Sequence, residues 1–123
     1  MTDDNVEGRW VAAPVSTPPA TAAAYASASV IVHPNNPDGR QHPAPETAFA
    51  VIDESFCDVT TQETRIAETR RPGVIVLKSF GKFWGLAGLR LGFAIAHPST
   101  IASLSALIGP WPVSGPALEV ATR

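Results

Sequence analysis

The chain has 123 residues, 45% of them apolar, and 9 Lys+Arg against 11 Asp+Glu give a net charge of −2. That length suits one domain or a piece of one, and the mild negative charge gives no electrostatic reason to bind nucleic acid. No apolar run approaches the ~20 residues that span a bilayer, and a single cysteine, Cys57, rules out an intramolecular disulfide and any multi-cysteine metal site.

In chain order, Met1 to Glu7 is acidic with no apolar stretch behind it, so no secretory signal is expected and a cytoplasmic location is. Residues 12–28 hold eight alanines and three prolines, with Tyr25 as the only large side chain. Such a segment can bury little surface, and residues 1–28 read as an irregular or disordered lead. From Ser29 the texture changes. Ser29–His33 is a β-branched run stopped by Pro34, and Phe49–Asp53 is a second run ending in an acid. Val74–Leu77 and Leu89–Ala96 are a third and a fourth. These runs are continuously apolar rather than alternating, which predicts strands buried on both faces of a parallel or mixed sheet covered by helices. A capping box at Thr60 and Glu63 predicts a solvated helix over Thr61–Arg71, stopped by Pro72-Gly73. Ser99 or Thr100 is expected to cap a helix through Ile108, with Ile101, Leu104, Leu107 and Ile108 on one face. Another helix is expected after Pro116.

Four places carry candidate chemistry. Ser79-Phe80-Gly81-Lys82 puts a lysine in a glycine-rich turn after a buried strand. Among Phe80, Phe83 and Trp84, desolvation would disfavour its ammonium and expose a nucleophilic amine; the alternative is an ordinary surface lysine. Asp53 ends a buried strand, where α/β sheets place ligands, and suits a protonated ring nitrogen; the alternative is a solvated acid. Pro34-Asn35-Asn36-Pro37-Asp38-Gly39 is a turn whose amide groups could also donate to a ligand. Arg90 could clamp a phosphate bidentately or form a surface ion pair. Cys57 reads as a small buried hydrophobe, and His42 and His97 lack ligand-like spacing, so no metal is expected.

Taken together, HPNNPDG, DESF and SFGKFWGLAGLRLG resemble, in order and local form, the fold-type I pyridoxal-phosphate enzymes of the class I/II aminotransferase family. The lysine segment is the specific part, because it runs unbroken from Ser79 to Gly92. GPWPVSGPA, Gly109 to Ala117, resembles the threonine-phosphate decarboxylase branch of cobalamin synthesis more than the histidinol-phosphate aminotransferases. The resemblance spans about residues 29–123. It implies an α/β fold, a partial PLP-binding large domain with a mostly parallel sheet and flanking helices. It implies pyridoxal 5'-phosphate as cofactor, with Lys82 bonding its aldehyde and serving as the catalytic group. Asp53 would partner the pyridine nitrogen, Asn36 the phenolic oxygen, and Ser79 and Arg90 the phosphate. The implied reaction is decarboxylation of a small phosphorylated amino acid, O-phospho-L-threonine, to (R)-1-aminopropan-2-yl phosphate and CO2, in a homodimer. A histidinol-phosphate-type aminotransferase is the alternative.

The sequence departs from the family at four points. Phe56 stands where many relatives carry a hydrogen-bonding tyrosine. His33 stands where asparagine usually heads the turn motif. Only 15 residues, Pro34 to Ala48, four of them proline, join the first two strands; relatives carry a crossover helix there, so its loss is expected, which leaves the placement of Asn36 relative to Asp53 open. Finally, the family's fold is far longer, and the parts that stack on the ring and hold the substrate carboxylate are not expected here. An internal fragment, or a non-catalytic remnant, is therefore the expectation.

Overall fold

The computed structural model describes residues 28–122. Four strands form one sheet in the order β1 (Ala28–Val32), β2 (Phe49–Asp53), β3 (Val74–Ser79), β4 (Gly92–Ala96). The first three are parallel, and β4 returns antiparallel to β3. Two helices follow, α1 (Pro98–Ile108) and α2 (Gly115–Ala121). The α/β, mostly parallel architecture implied by the resemblance is present, but the burial on both faces expected from the apolar runs does not extend to the edge strands, where Val30 of β1 and Phe93 of β4 are exposed. The proposed lead lies outside the described residues except for Ala28, which opens β1.

The core sits on the two central strands. Ala50, Ile52, Val74 and Val76 have no exposed surface, and Ile31 and Ile95 pack against them from the edge strands. Side chains alternate across a strand, so Ala50 and Ile52 share one face. Gly73 leads into β3 at φ 87°, where a Cβ would collide with the Ala48 carbonyl, so only glycine fits this turn.

Residues 34–48 contain no helix, as the prolines dictate, yet β1 and β2 pair in parallel. Arginines replace the bonds a helix would have made. Arg71 donates to the Thr47 and Pro45 carbonyls, both at 2.7 Å, and Arg65 donates to the His42 carbonyl at 2.7 Å. The Ser29 and Thr47 hydroxyls, 2.7 Å apart, fasten the loop to β1. His33 is fully buried: its Nδ1 accepts the His42 N–H (3.3 Å) and its Nε2 donates to the Glu63 carbonyl (3.1 Å).

Four local expectations are corrected. The helix predicted over Thr61–Arg71 is two 3-10 turns, Thr61–Glu63 and Ile66–Arg70, separated by Thr64 in an extended conformation. The buried Glu54 carboxylate takes both the Thr64 hydroxyl (2.7 Å) and the Arg65 N–H, so that N–H is lost to a helical ladder. The fourth strand starts at Gly92 rather than Leu89, because Ala87–Leu89 is a 3-10 turn that ends with Arg90 at φ 51°. The cap of α1 is His97, whose Nδ1 accepts the Ser99 N–H, with Pro98 at the first helical position. On α1, Ile101 and Leu104 are half-buried while Leu107 and Ile108 are exposed, so only the first half of the predicted apolar face is packed.

Candidate active site

The strand register brings the candidate residues to one edge of the sheet. Val32 pairs with Asp53 and Asp53 with Leu77, so the C-terminal ends of β1, β2 and β3 lie side by side. Ser79 pairs with Gly92, so the antiparallel β4 starts at that same edge, two residues after Arg90. Asn36 lies in the loop leaving β1, Asp53 ends β2, Ser79 ends β3, and Lys82 and Arg90 lie in the β3–β4 connection. This is the carboxyl edge where parallel sheets hold ligands.

Ser79 and Arg90 line one open cleft of about 200 Å³, together with Gly81, Leu86, Ala87, Leu91 and Gly92. The Ser79 hydroxyl accepts the Gly81 N–H at 3.0 Å, which leaves its own proton to donate. A Cβ on Gly81 would come within 3.2 Å of that hydroxyl, so the missing side chain keeps the cleft floor open. Arg90 is exposed, with Nη1 bonded to the Ala87 carbonyl at 3.2 Å and the rest of its fork available. Asp53 receives both the Ser55 N–H (2.9 Å) and the Ser55 hydroxyl (2.6 Å) on Oδ1. Its Oδ2 is left for another donor. A phosphate at Ser79 and Arg90 and a ring N–H at Asp53 match this donor and acceptor set.

Lys82 is exposed. The aromatic residues beside it in sequence do not bury its amine, because Phe83 and Trp84 are themselves about half exposed. Lys82 Nζ lies over the Phe56 ring, at 6.0 Å from the centroid. The residue read only as a lost hydrogen-bond donor thus faces the lysine with an apolar surface. Asn36 is exposed on its turn and makes no hydrogen bond to the other four residues. The His33 N–H bonds the Asp53 carbonyl at 2.8 Å and carries the β1–β2 pairing one residue past the Val32–Asp53 pair.

Sequence reasoning missed a charge cluster beneath these residues. Glu54, fully buried, and Asp58 both pair with Lys78 Nζ, at 3.0 and 2.9 Å. Burial would lower the Lys78 pKa, but the bonds to Asp58 and Glu54 and their charge outweigh it and hold the ammonium above its ordinary value. Burial would raise Asp58, yet the bonds from Lys78 and Trp84 and the charge of Lys78 hold it below the usual carboxylate range. The signal was present: Asp53 and Glu54 are adjacent at a strand end, where neighbouring side chains face opposite ways, so one acid must point inward. Cys57 is buried, as expected, and burial first, then the Glu54 charge, pushes its thiol up to about 11. Among the described residues, no three His, Cys, Asp or Glu gather as a metal site, and no helix is long and apolar enough to cross a membrane.

Over residues 20–123 the chain matches the family Aminotransferase class I and II. The match begins inside the segment read as a lead. The chain is 43% identical over 103 residues to a threonine-phosphate decarboxylase of Pseudomonas aeruginosa, covering 75% of this chain and 31% of that protein. The fold is similar to the crystal structure of L-threonine-O-3-phosphate decarboxylase from Porphyromonas gingivalis, with TM-score 0.67 and 30% identity, over 79% of this chain and 33% of that one. It is also similar to histidinol-phosphate aminotransferase from Sinorhizobium meliloti in complex with pyridoxal-5'-phosphate, with TM-score 0.56 and 30% identity, over 68% of this chain and 26% of that one. The chain thus spans about a third, or less, of the length of these relatives.

Proposed function

Because the chain belongs to the class I and II aminotransferase family, we propose that residues 29–123 supply the lysine-bearing part of a PLP-binding large domain whose enzyme decarboxylates L-threonine O-3-phosphate. The products would be (R)-1-aminopropan-2-yl phosphate and CO2, and the assembly a homodimer. The cleft shared by Ser79 and Arg90, three residues before and eight after Lys82, is the observation that carries the cofactor reading. The identity to the Pseudomonas aeruginosa relative favours decarboxylation.

In this reading the five side chains divide the work. The Ser79 hydroxyl and the Arg90 fork hold the phosphate through donated hydrogen bonds, those of Arg90 charge-assisted. Asp53 Oδ2 accepts from the pyridine nitrogen and keeps its proton in place. The Asn36 amide donates to the phenolic oxygen. Lys82 would hold the cofactor carbon through its amine nitrogen and, once the substrate amine takes over that bond and frees Nζ, would return a proton to the substrate Cα. When bound, the cofactor supplies an electron sink for the bond broken at Cα. A histidinol-phosphate-type aminotransferase is the second reading, favoured by the Sinorhizobium meliloti neighbour. There, Lys82 would take the Cα proton instead.

The test is an absorption spectrum of the purified chain with pyridoxal phosphate, beside Lys82→Ala. A visible band should survive desalting in the wild type and be absent from the variant. O-phospho-L-threonine should then release CO2, whereas 2-oxoglutarate-dependent turnover would favour the aminotransferase. Identical free-cofactor spectra for both proteins would leave a remnant that keeps the family's sequence without its site.

A further inference from the structure

Lys78 and Lys82 are the only lysines in the chain, and the function proposed above uses one of them. The structure separates them by environment. Lys78 Nζ is pinned between Glu54 and Asp58, at 3.0 and 2.9 Å. Lys82 is exposed and forms no ion pair among the described residues. The two carboxylates occupy Lys78 Nζ, whereas Lys82 Nζ is tied to none among the described residues, so Lys82 is the lysine open to an aldehyde.

Something must also hold the exposed Lys82 loop against the end of β2. Two contacts cross between the loops. Lys82 Nζ faces the Phe56 ring at 6.0 Å, and Trp84 Nε1 donates to Asp58 Oδ2 at 2.9 Å. The pairs advance together, residue 56 with 82 and residue 58 with 84. Trp84 is 55% exposed, so burial does not fix its indole. The bond to Asp58 and edge contacts with Phe80 (6.4 Å) and Phe83 (5.2 Å) do. The two Asp58 oxygens are divided: Oδ1 takes Lys78 and Oδ2 takes Trp84.

We propose that Asp58 is a positioning residue, holding Lys78 with one carboxylate oxygen and the Trp84 indole with the other, and so setting Lys82 against the end of β2. The proposal rests on the reading of Lys82 as the cofactor lysine, and its test separates the two. The full chain is treated with subsaturating pyridoxal phosphate, fixed with borohydride, and the label at each lysine is quantified by peptide mass spectrometry. Hydrogen exchange of residues 80–90 is measured without cofactor. In the wild type the label falls on Lys82. Trp84→Phe keeps the ring and loses one hydrogen bond, so label at Lys82 drops about three- to tenfold while Lys78 stays protected and exchange over 80–90 speeds up by a similar factor. Asp58→Asn keeps only one acceptor oxygen, so Lys82 loses label and Lys78 gains it.

Unchanged exchange and unchanged Lys82 labelling in Trp84→Phe would overturn the proposal. Because Trp84 is exposed, this variant decides the matter even where Asp58→Asn disturbs folding. Faster exchange in both variants, with no label on Lys82 in any protein, would support the tether and sink the cofactor reading instead.

Discussion

Cys57 lies under the end of β2 with no exposed surface, and its thiol senses the charges gathered there. Burial and the Glu54 charge both oppose the thiolate, Lys78 offsets them only in part, and the thiol is raised to about 11. An unfolded thiol ionises near its ordinary value, about 8.5. Between that value and about 11 the folded chain holds a proton that the unfolded chain has lost. The resulting stability is therefore complete below the unfolded value and is lost as pH rises through the folded one. Urea midpoints from pH 7 to pH 11 should fall more steeply for the wild type than for Cys57→Ala; parallel curves would contradict the shift. The burial of Cys57 was legible from its sequence context. The acid beside it was not, because Glu54 reaches the thiol only once β2 ends and the chain turns.

At the scale of elements, one buried carboxylate decides the local structure around it. Glu54 binds Lys78, the Thr64 hydroxyl and the Arg65 N–H, and thereby joins β3 to the 3-10 turns. Lys78→Met would leave that charge buried without its cation, a change that costs about 3 kcal/mol. Urea denaturation should show this loss, and Lys78→Met with Glu54→Gln should recover part of it. A stable single variant would mean that the two remaining donors suffice. The same carboxylate explains why a sound capping box failed. Thr60 and Glu63 do bond, with Oγ1 to Oε2 at 3.2 Å and the Glu63 N–H to the Thr60 carbonyl at 2.9 Å. Even so, the next turn gives up an N–H to Glu54. Propensity specifies a helix only where tertiary acceptors do not compete. The crossover follows the opposite course. Its prolines forbade a helix, as read, while the arginines that serve its carbonyls come from residues 65 and 71.

At the scale of the molecule, the sheet buries its central strands better than its surroundings. Leu107, Ile108, Trp111, Leu118 and Val120 are all exposed, Trp111 by 89%. Soluble monomers rarely leave so many large apolar side chains in water within one short stretch. The isolated chain should therefore self-associate with rising concentration in sedimentation velocity and bind a hydrophobic dye. Leu107→Ser with Trp111→Ser should weaken both. A monomer at high concentration that ignores the dye would show that this surface is tolerated.

What the sequence determined by itself was the order of apolar runs, the class of the sheet, and the residue types that end its strands. These follow from local periodicity and from proline and glycine, which act within a few residues. The convergence of Ser79 and Arg90 on one cleft, the division between Lys78 and Lys82, and the place of Phe56 beneath the lysine were decided by the tertiary structure. Each depends on strand register and on contacts between residues 11 to 26 positions apart in the chain. Over such separations only packing and the pairing of buried charge determine which side chains meet.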